Sequence, residues 1–234
     1  MSRFDKNVIA TLNRIAAQKI FEKMRILRMS STENSKRRWI WELLQNANDK
    51  AAVDFPEQKV AVRVRLTPKS IEFSHNYSYF TNKNIEGLIR QISSDDKDWG
   101  ETDKTEMPKT IGRFGTGFLT THLLSEKVIV SGLFQDEGDI QRFSFPLDRS
   151  GRELKALIES INNSFQEVNT SLNDSPKIEN PDFSAYNTTF QYELDELGRG
   201  IAEVGLDDLE NSLPYTLIFI DKIKLVEIER NNCE

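Results

Sequence analysis

Residues 59–66, KVAVRVRL, set Val60, Val62, Val64 and Leu66 on one side of an extended chain and Lys59, Arg63 and Arg65 on the other. Successive side chains of a strand point to opposite faces, so this stretch demands a sheet with one buried and one wet face. A Thr-Pro-Lys turn and SIEFSH follow, which predicts an antiparallel hairpin. Upstream the period changes. Val8, Leu12, Ile15, Phe21, Met24 and Leu27 recur at helical spacing from Asp5 to about Met29, and STENSKRR offers a capped loop into a second helix through Ala52. Two amphipathic helices ahead of an amphipathic hairpin bury their apolar faces most simply against it, as layers of an α+β sandwich.

The remaining chain extends the same pattern. A short helix is expected over 81–92, whereas SSDDKDWGETDKTEMPKT (93–110) carries six Asp or Glu without periodicity and reads as a long mobile loop. LTTHLLSE reads as helical, KVIVSGLF and QRFSFPL as strands and RELKALIESIN as a helix. FQEVNTSLNDSPKIENPDFSAY is expected to be a polar surface connector, TTFQYEL a strand, 206–212 a short helix and YTLIFIDKIKLVEIE a closing strand or bent pair. The expected fold is α+β: one mixed, mostly antiparallel sheet with helices on one face. Nothing splits residues 1–234 into two domains, and 1–30 form an N-terminal helix.

At 234 residues and 38% hydrophobic content a substantial core is possible. A formal charge of −6 disfavours nucleic acid as a partner, although Lys36, Arg37 and Arg38 make a local basic spot. The single cysteine, Cys233, permits no internal disulfide, and His75 and His122 are too few for a zinc-type cluster. A reducing, cytoplasmic setting is expected. No apolar run approaches the length of a membrane span, and the N-terminus lacks a signal-peptide core.

Within WELLQNANDKA (41–51), Glu42, Asn46 and Asp49 stand at i, i+4 and i+7, while Ile40, Leu43, Leu44, Ala47 and Ala51 cover the opposite side. Such a stripe is either a solvated face or a hard-oxygen site for metal and phosphate, and the second requires a loop able to hold phosphates. GRFGTGF supplies glycines at Gly112, Gly115 and Gly117 immediately before a helix. The spacing fits neither a dinucleotide-binding fingerprint nor a Walker loop. It still permits close backbone approach to an anion, or simply a tight turn.

These two segments, in this order and about sixty residues apart, resemble the N-box and second glycine motif of the GHKL ATPases, the Bergerat-fold group. That group includes the ninety-kilodalton heat-shock chaperones, MutL, type II topoisomerases and sensor histidine kinases. The glycine motif IGRFGTGFLTTHLLSEKVIVSG is most similar to the chaperone branch, and the His-Asn start of HNYSYF to sacsin-type and related bacterial ATP-binding domains.

The resemblance implies a two-layer Bergerat sandwich that binds ATP with Mg²⁺ and hydrolyses it slowly, with 93–110 as a lid-like loop. By position, Glu42 matches the general base and Asn46 the Mg²⁺ ligand, and Asp49 matches an acidic position of the base pocket. Gly112, Arg113, Phe114, Gly115, Thr116, Gly117 and Phe118 match the phosphate-facing segment, and Thr188 the strand threonine behind the base. The family's first glycine motif is Asp-x-Gly-x-Gly. Here His75 takes the aspartate position, Tyr77 and Tyr79 replace the glycines, and Phe80 follows. A neutral histidine can accept a hydrogen bond from an adenine amino group; a protonated one cannot.

Members of the group complete their site with a Lys or Arg from a downstream domain or a partner protein, and ATP-dependent homodimers form among them. The ending ERNNCE reads as a cut within a longer protein. Two alternatives stand beside an ATPase: a non-hydrolysing GHKL scaffold used for protein binding, and a MutL-type repair protein whose Lys36–Arg38 segment lies near DNA.

Overall fold

The computed structural model describes residues 3–29, 32–91, 117–216 and 220–231. The expected 93–110 loop lies outside them. Helices α1 (Arg3–Met29) and α2 (Glu33–Asp54) precede the hairpin of β1 (Val60–Leu66) and β2 (Ser70–His75), followed by α3 (Asn82–Arg90). A 3-10 turn, Phe118–Leu123, leads into a second hairpin, β3 (Lys127–Asp136) and β4 (Asp139–Asp148). The chain continues through α4 (Leu154–Asp174), β5 (Thr188–Glu193), α5 (Glu196–Thr216) and β6 (Ile223–Arg230).

The class is α+β. Among the described residues one six-stranded sheet has the order β4-β3-β5-β2-β1-β6, antiparallel throughout except for the β1–β6 pair. Register lines up Phe145, Val130, Phe190, Phe73 and Val64 across five strands, and all five are buried. The alternate row, Ser144, Ser131, Thr189, Ser74 and Arg63, is polar. The hydrophobic periodicity of each strand has therefore fixed the same register everywhere. Between β3 and β4, Glu137 and Gly138 both take positive φ, 46° and 97°, in a two-residue turn whose twist matches the flanking strands.

Two helices are longer than their sequences suggest. Expected to end near Asn162, α4 runs on to Asp174 and lies along the edge strand β4. Its serines satisfy that edge. Ser160 Oγ donates to the Asp148 carbonyl, and Ser164 Oγ donates to that of Pro146 at 2.8 Å. Ser171 Oγ accepts from Ser144 N at 2.9 Å, and just past the helix Ser175 Oγ accepts from Arg142 N at 3.0 Å. Each such bond contributes about 1 kcal/mol and closes an edge otherwise open to pairing. The first part of the expected connector, through Asp174, is thus helical, and irregular chain follows it to β5.

Helix α5, expected only over 206–212, starts at Glu196, and two of its glycines mark close approach. A Cβ at Gly198 would stand 2.1 Å from the Leu124 carbonyl oxygen, and one at Gly205 would stand 2.1 Å from Trp39 Nε1. On α1 the buried residues are Ala16, Ala17, Ile20, Met24 and Leu27, whereas Val8 and Ile15, expected on that face, are exposed. Asn13 joins α1 to its neighbours, accepting from Arg90 Nε and donating to Asn162 Oδ1, both at 2.8 Å. Among the described residues no helix is long and apolar enough to cross a membrane.

Candidate functional site

Helix α2 starts on Thr32, whose hydroxyl accepts from Ser35 N at 3.2 Å. Ile40, Leu43, Leu44, Ala47 and Ala51 are all buried, which orients the opposite stripe. That stripe is not a solvated face. Asn46 is only 6% exposed, and its side-chain amide makes no hydrogen bond among the described residues. Asp49 accepts from Asn48 Nδ2 at 3.1 Å through Oδ1, but its Oδ2 is buried without a partner. Burial pushes the Asp49 carboxyl up from its ordinary value, partly offset by the Asn48 bond. Leaving such a polar atom buried and unpaired costs about 1–3 kcal/mol, so the arrangement is poor as mere structure.

One oxygen of the Glu42 carboxylate is engaged. Oε1 accepts from Arg38 Nη2 at 2.7 Å, while Oε2 faces Gly117, where an added Cβ would stand 2.2 Å away. Gly117 starts the 3-10 turn, its carbonyl accepting from Thr120 N at 2.9 Å and Thr120 Oγ1 at 2.8 Å. A side chain there would displace the Glu42 carboxylate. Phe118 turns away into the core, 1% exposed, with its ring 5.6 Å from Phe190 and 6.0 Å from His122. Gly112, Arg113, Phe114, Gly115 and Thr116 lie outside the described residues.

A second group forms where β2 and β5 pair. His75 and Thr188 are register partners and both are buried. His75 Nδ1 lies 3.1 Å from the Asn76 carbonyl, which can only accept, so Nδ1 carries the hydrogen and neutral Nε2 keeps a lone pair. Burial pushes the His75 pKa down to about 4, helped by the nearby Lys50 charge and opposed by the Asn76 bond. Thr188 Oγ1 is buried without a partner. Lys50 links this group to α2, though no described hydrogen bond joins Glu42, Asn46 or Asp49 to His75 or Thr188.

Tyr77 sits at φ +50°, a left-handed conformation unusual for a bulky residue. Its amide donates to the Phe183 carbonyl at 2.8 Å and its ring packs 5.7 Å from Phe55. The Lys50 ammonium lies 4.9 Å from the Tyr79 ring centroid while pairing with Asp54 Oδ2 at 2.7 Å and Asn84 Oδ1 at 3.0 Å. Tyr77 and Tyr79 are therefore bound into a cluster at the C-terminal end of α2.

Three contributors were not singled out as site residues from sequence. Asn76, just past β2, locks the end of that strand, accepting from Ala61 N at 2.8 Å and donating to the Ser184 carbonyl at 3.0 Å; its signal is the His-Asn pair that opens HNYSYF. Lys50 and Arg38 share one signal, because each precedes a carboxylate by four residues, Asp54 and Glu42 respectively. The whole basic trio is paired: Lys36 with Glu33 at 2.7 Å, Arg37 with Asp208 at 3.6 Å and Arg38 with Glu42 at 2.7 Å.

Among the described residues no three His, Cys, Asp or Glu converge on a metal position. A groove of about 510 Å³ lies over Ser131, Gly132, Arg142 and Phe143, and none of its lining residues belongs to either group. No protein-family model matches the chain, and no curated protein matches it.

Proposed function

We propose that the chain is a GHKL-type domain of Bergerat fold that binds ATP with Mg²⁺ and hydrolyses it slowly, as a conformational switch within a larger protein. The observation that carries this is the meeting of Gly117, the last glycine of the GRFGTGF run, with the Glu42 carboxylate. The helix stripe and the last glycine of that run, far apart in sequence, are thereby neighbours, as a phosphate site with a base beside it requires.

In this site Glu42 takes a proton from water as the water oxygen bonds to the terminal phosphorus. The bond from that phosphorus to the bridging oxygen breaks, and ADP and inorganic phosphate leave. Asn46 would hold the Mg²⁺ through its amide oxygen, which has no partner among the described residues, with water and substrate oxygens as further ligands, since this ion takes few protein groups; bound there, it would neutralise phosphate charge. Neutral His75 would accept from the adenine amino group through Nε2, with Thr188 and Asp49 lining the base end. A downstream domain or partner protein supplies a further cation, and α1 is the docking element of an ATP-dependent homodimer.

One observation favours the second reading, a non-hydrolysing GHKL scaffold for protein binding. Tyr77 and Tyr79 stand where the family has glycine. The packing of Tyr77 on Phe55 weighs the other way, because it holds the ring in a cluster. Pairing of Lys36, Arg37 and Arg38 with carboxylates leaves little basic surface for DNA.

The test is single-turnover hydrolysis by the purified chain and by Glu42→Gln. Slow turnover that falls at least about a hundredfold in the variant, with ATP still bound, supports an ATPase. Bound but uncleaved ATP in the wild type supports the scaffold.

A further inference from the structure

Arg38, Glu42, Asn46 and Asp49 fall within about 80° of one another on α2, so the polar stripe extends one turn beyond the proposed base. Arg38 is the only cation on it. Its side chain is 60% exposed, one nitrogen bonds Glu42, and its other N–H groups have no partner among the described residues. Glu42, by contrast, has one oxygen on Arg38 and the other against Gly117. One oxygen of the carboxylate that should receive a proton is thus held by a cation that is itself largely unused.

We propose that Arg38 is the terminal-phosphate sensor of this site: with a nucleoside triphosphate bound, its guanidinium moves from Glu42 to the terminal phosphate, which also frees Glu42 to act as base. This rests on the ATP-site reading given above. Arg38 is within reach because a water positioned by Glu42 for attack is one hydrogen bond from the carboxylate that Arg38 already touches at 2.7 Å. An exposed ion pair is weakly held, and a phosphate offers a guanidinium two parallel acceptors in place of the single bond present now. A diphosphate, lacking the terminal group, leaves the pair intact. The consequence is selectivity for the triphosphate generated within the chain.

The test is calorimetric titration with a non-hydrolysable ATP analogue and with ADP, each with Mg²⁺, on the wild type, Arg38→Ala, Arg38→Lys, Glu42→Ala and Asn46→Ala. Arg38→Ala is expected to weaken the analogue about tenfold and ADP less than about twofold, with Arg38→Lys in between. Glu42→Ala is expected to tighten the analogue, because Arg38 no longer leaves a partner to reach it. Equal effects of Arg38→Ala on both nucleotides, or none on either, would overturn the sensor. Nucleotide binding unchanged in Asn46→Ala, or absent in the wild type, would instead remove the site on which the sensor depends.

Discussion

Gly117 lies directly against Glu42, so closely that a methyl group on its Cα would stand 2.2 Å from Oε2. The contact ties the start of the Phe118–Leu123 turn to the middle of α2. It makes Gly117→Ala a sharp probe, because the half-buried Glu42 side chain must move if the turn keeps its place. The variant is expected to fold with nearly wild-type melting and to lose at least about tenfold in hydrolysis through misplacement of the base. Unchanged turnover in a folded Gly117→Ala would show that the position of the carboxylate does not matter.

Two glycines of α5 offer a contrast within one helix. A Cβ at Gly205 would stand 2.1 Å from Nε1 of Trp39, a buried indole that donates to the Ile201 carbonyl at 3.2 Å, whereas one at Gly200 would meet nothing within 4 Å. Gly205→Ala is expected to lower stability by about 1–3 kcal/mol through overpacking. Gly200→Ala is expected to raise it by about 0.5–1 kcal/mol through helix propensity. Urea unfolding midpoints of the two variants check the signs; destabilisation by both would mean that α5 is not helical at Gly200.

Acid should weaken the fold through His75. Its folded pKa of about 4 lies below the unfolded value of 6.5, so between those limits the unfolded chain binds the proton that the native state refuses. Stability is full above the upper limit and falls as pH drops toward the lower. At about 1.4 kcal/mol per pH unit the loss is on the order of 3 kcal/mol. His122, pushed down to about 3 by burial and then by Arg149, adds a slope of the same sign. Denaturant titrations at several pH values should show a shallower dependence in His75→Gln, and identical slopes would mean that His75 protonates freely within the fold.

Much of the architecture was legible because two hydrophobic periods alternate along the chain. Val60, Val62 and Val64 define a strand face as plainly as Leu43, Leu44 and Ala47 define a helix face. What escaped were α4 and α5, where local composition opposes the tertiary role. Ser164 and Ser171 weaken a helix on propensity but bond the edge of β4, and Gly198 and Gly205 look like breakers but allow close packing. The Glu42–Asn46–Asp49 stripe was legible from spacing alone. Its burial was not, because it depends on distant partners: the neighbouring Asn48, for example, accepts from Lys222 N at 3.0 Å. Nor could spacing show that Tyr77 adopts the left-handed backbone of a glycine.

The most direct measurement is calorimetric titration of the intact chain with ATP, with and without Mg²⁺, beside Asn46→Ala. Saturable binding that needs Mg²⁺ and is lost in Asn46→Ala is the expected result, since Asn46 is a buried residue whose amide makes no hydrogen bond among the described residues. A folded chain that takes up no ATP at millimolar concentration, or binds equally well after Asn46→Ala, would contradict the assignment of this stripe as a nucleotide site.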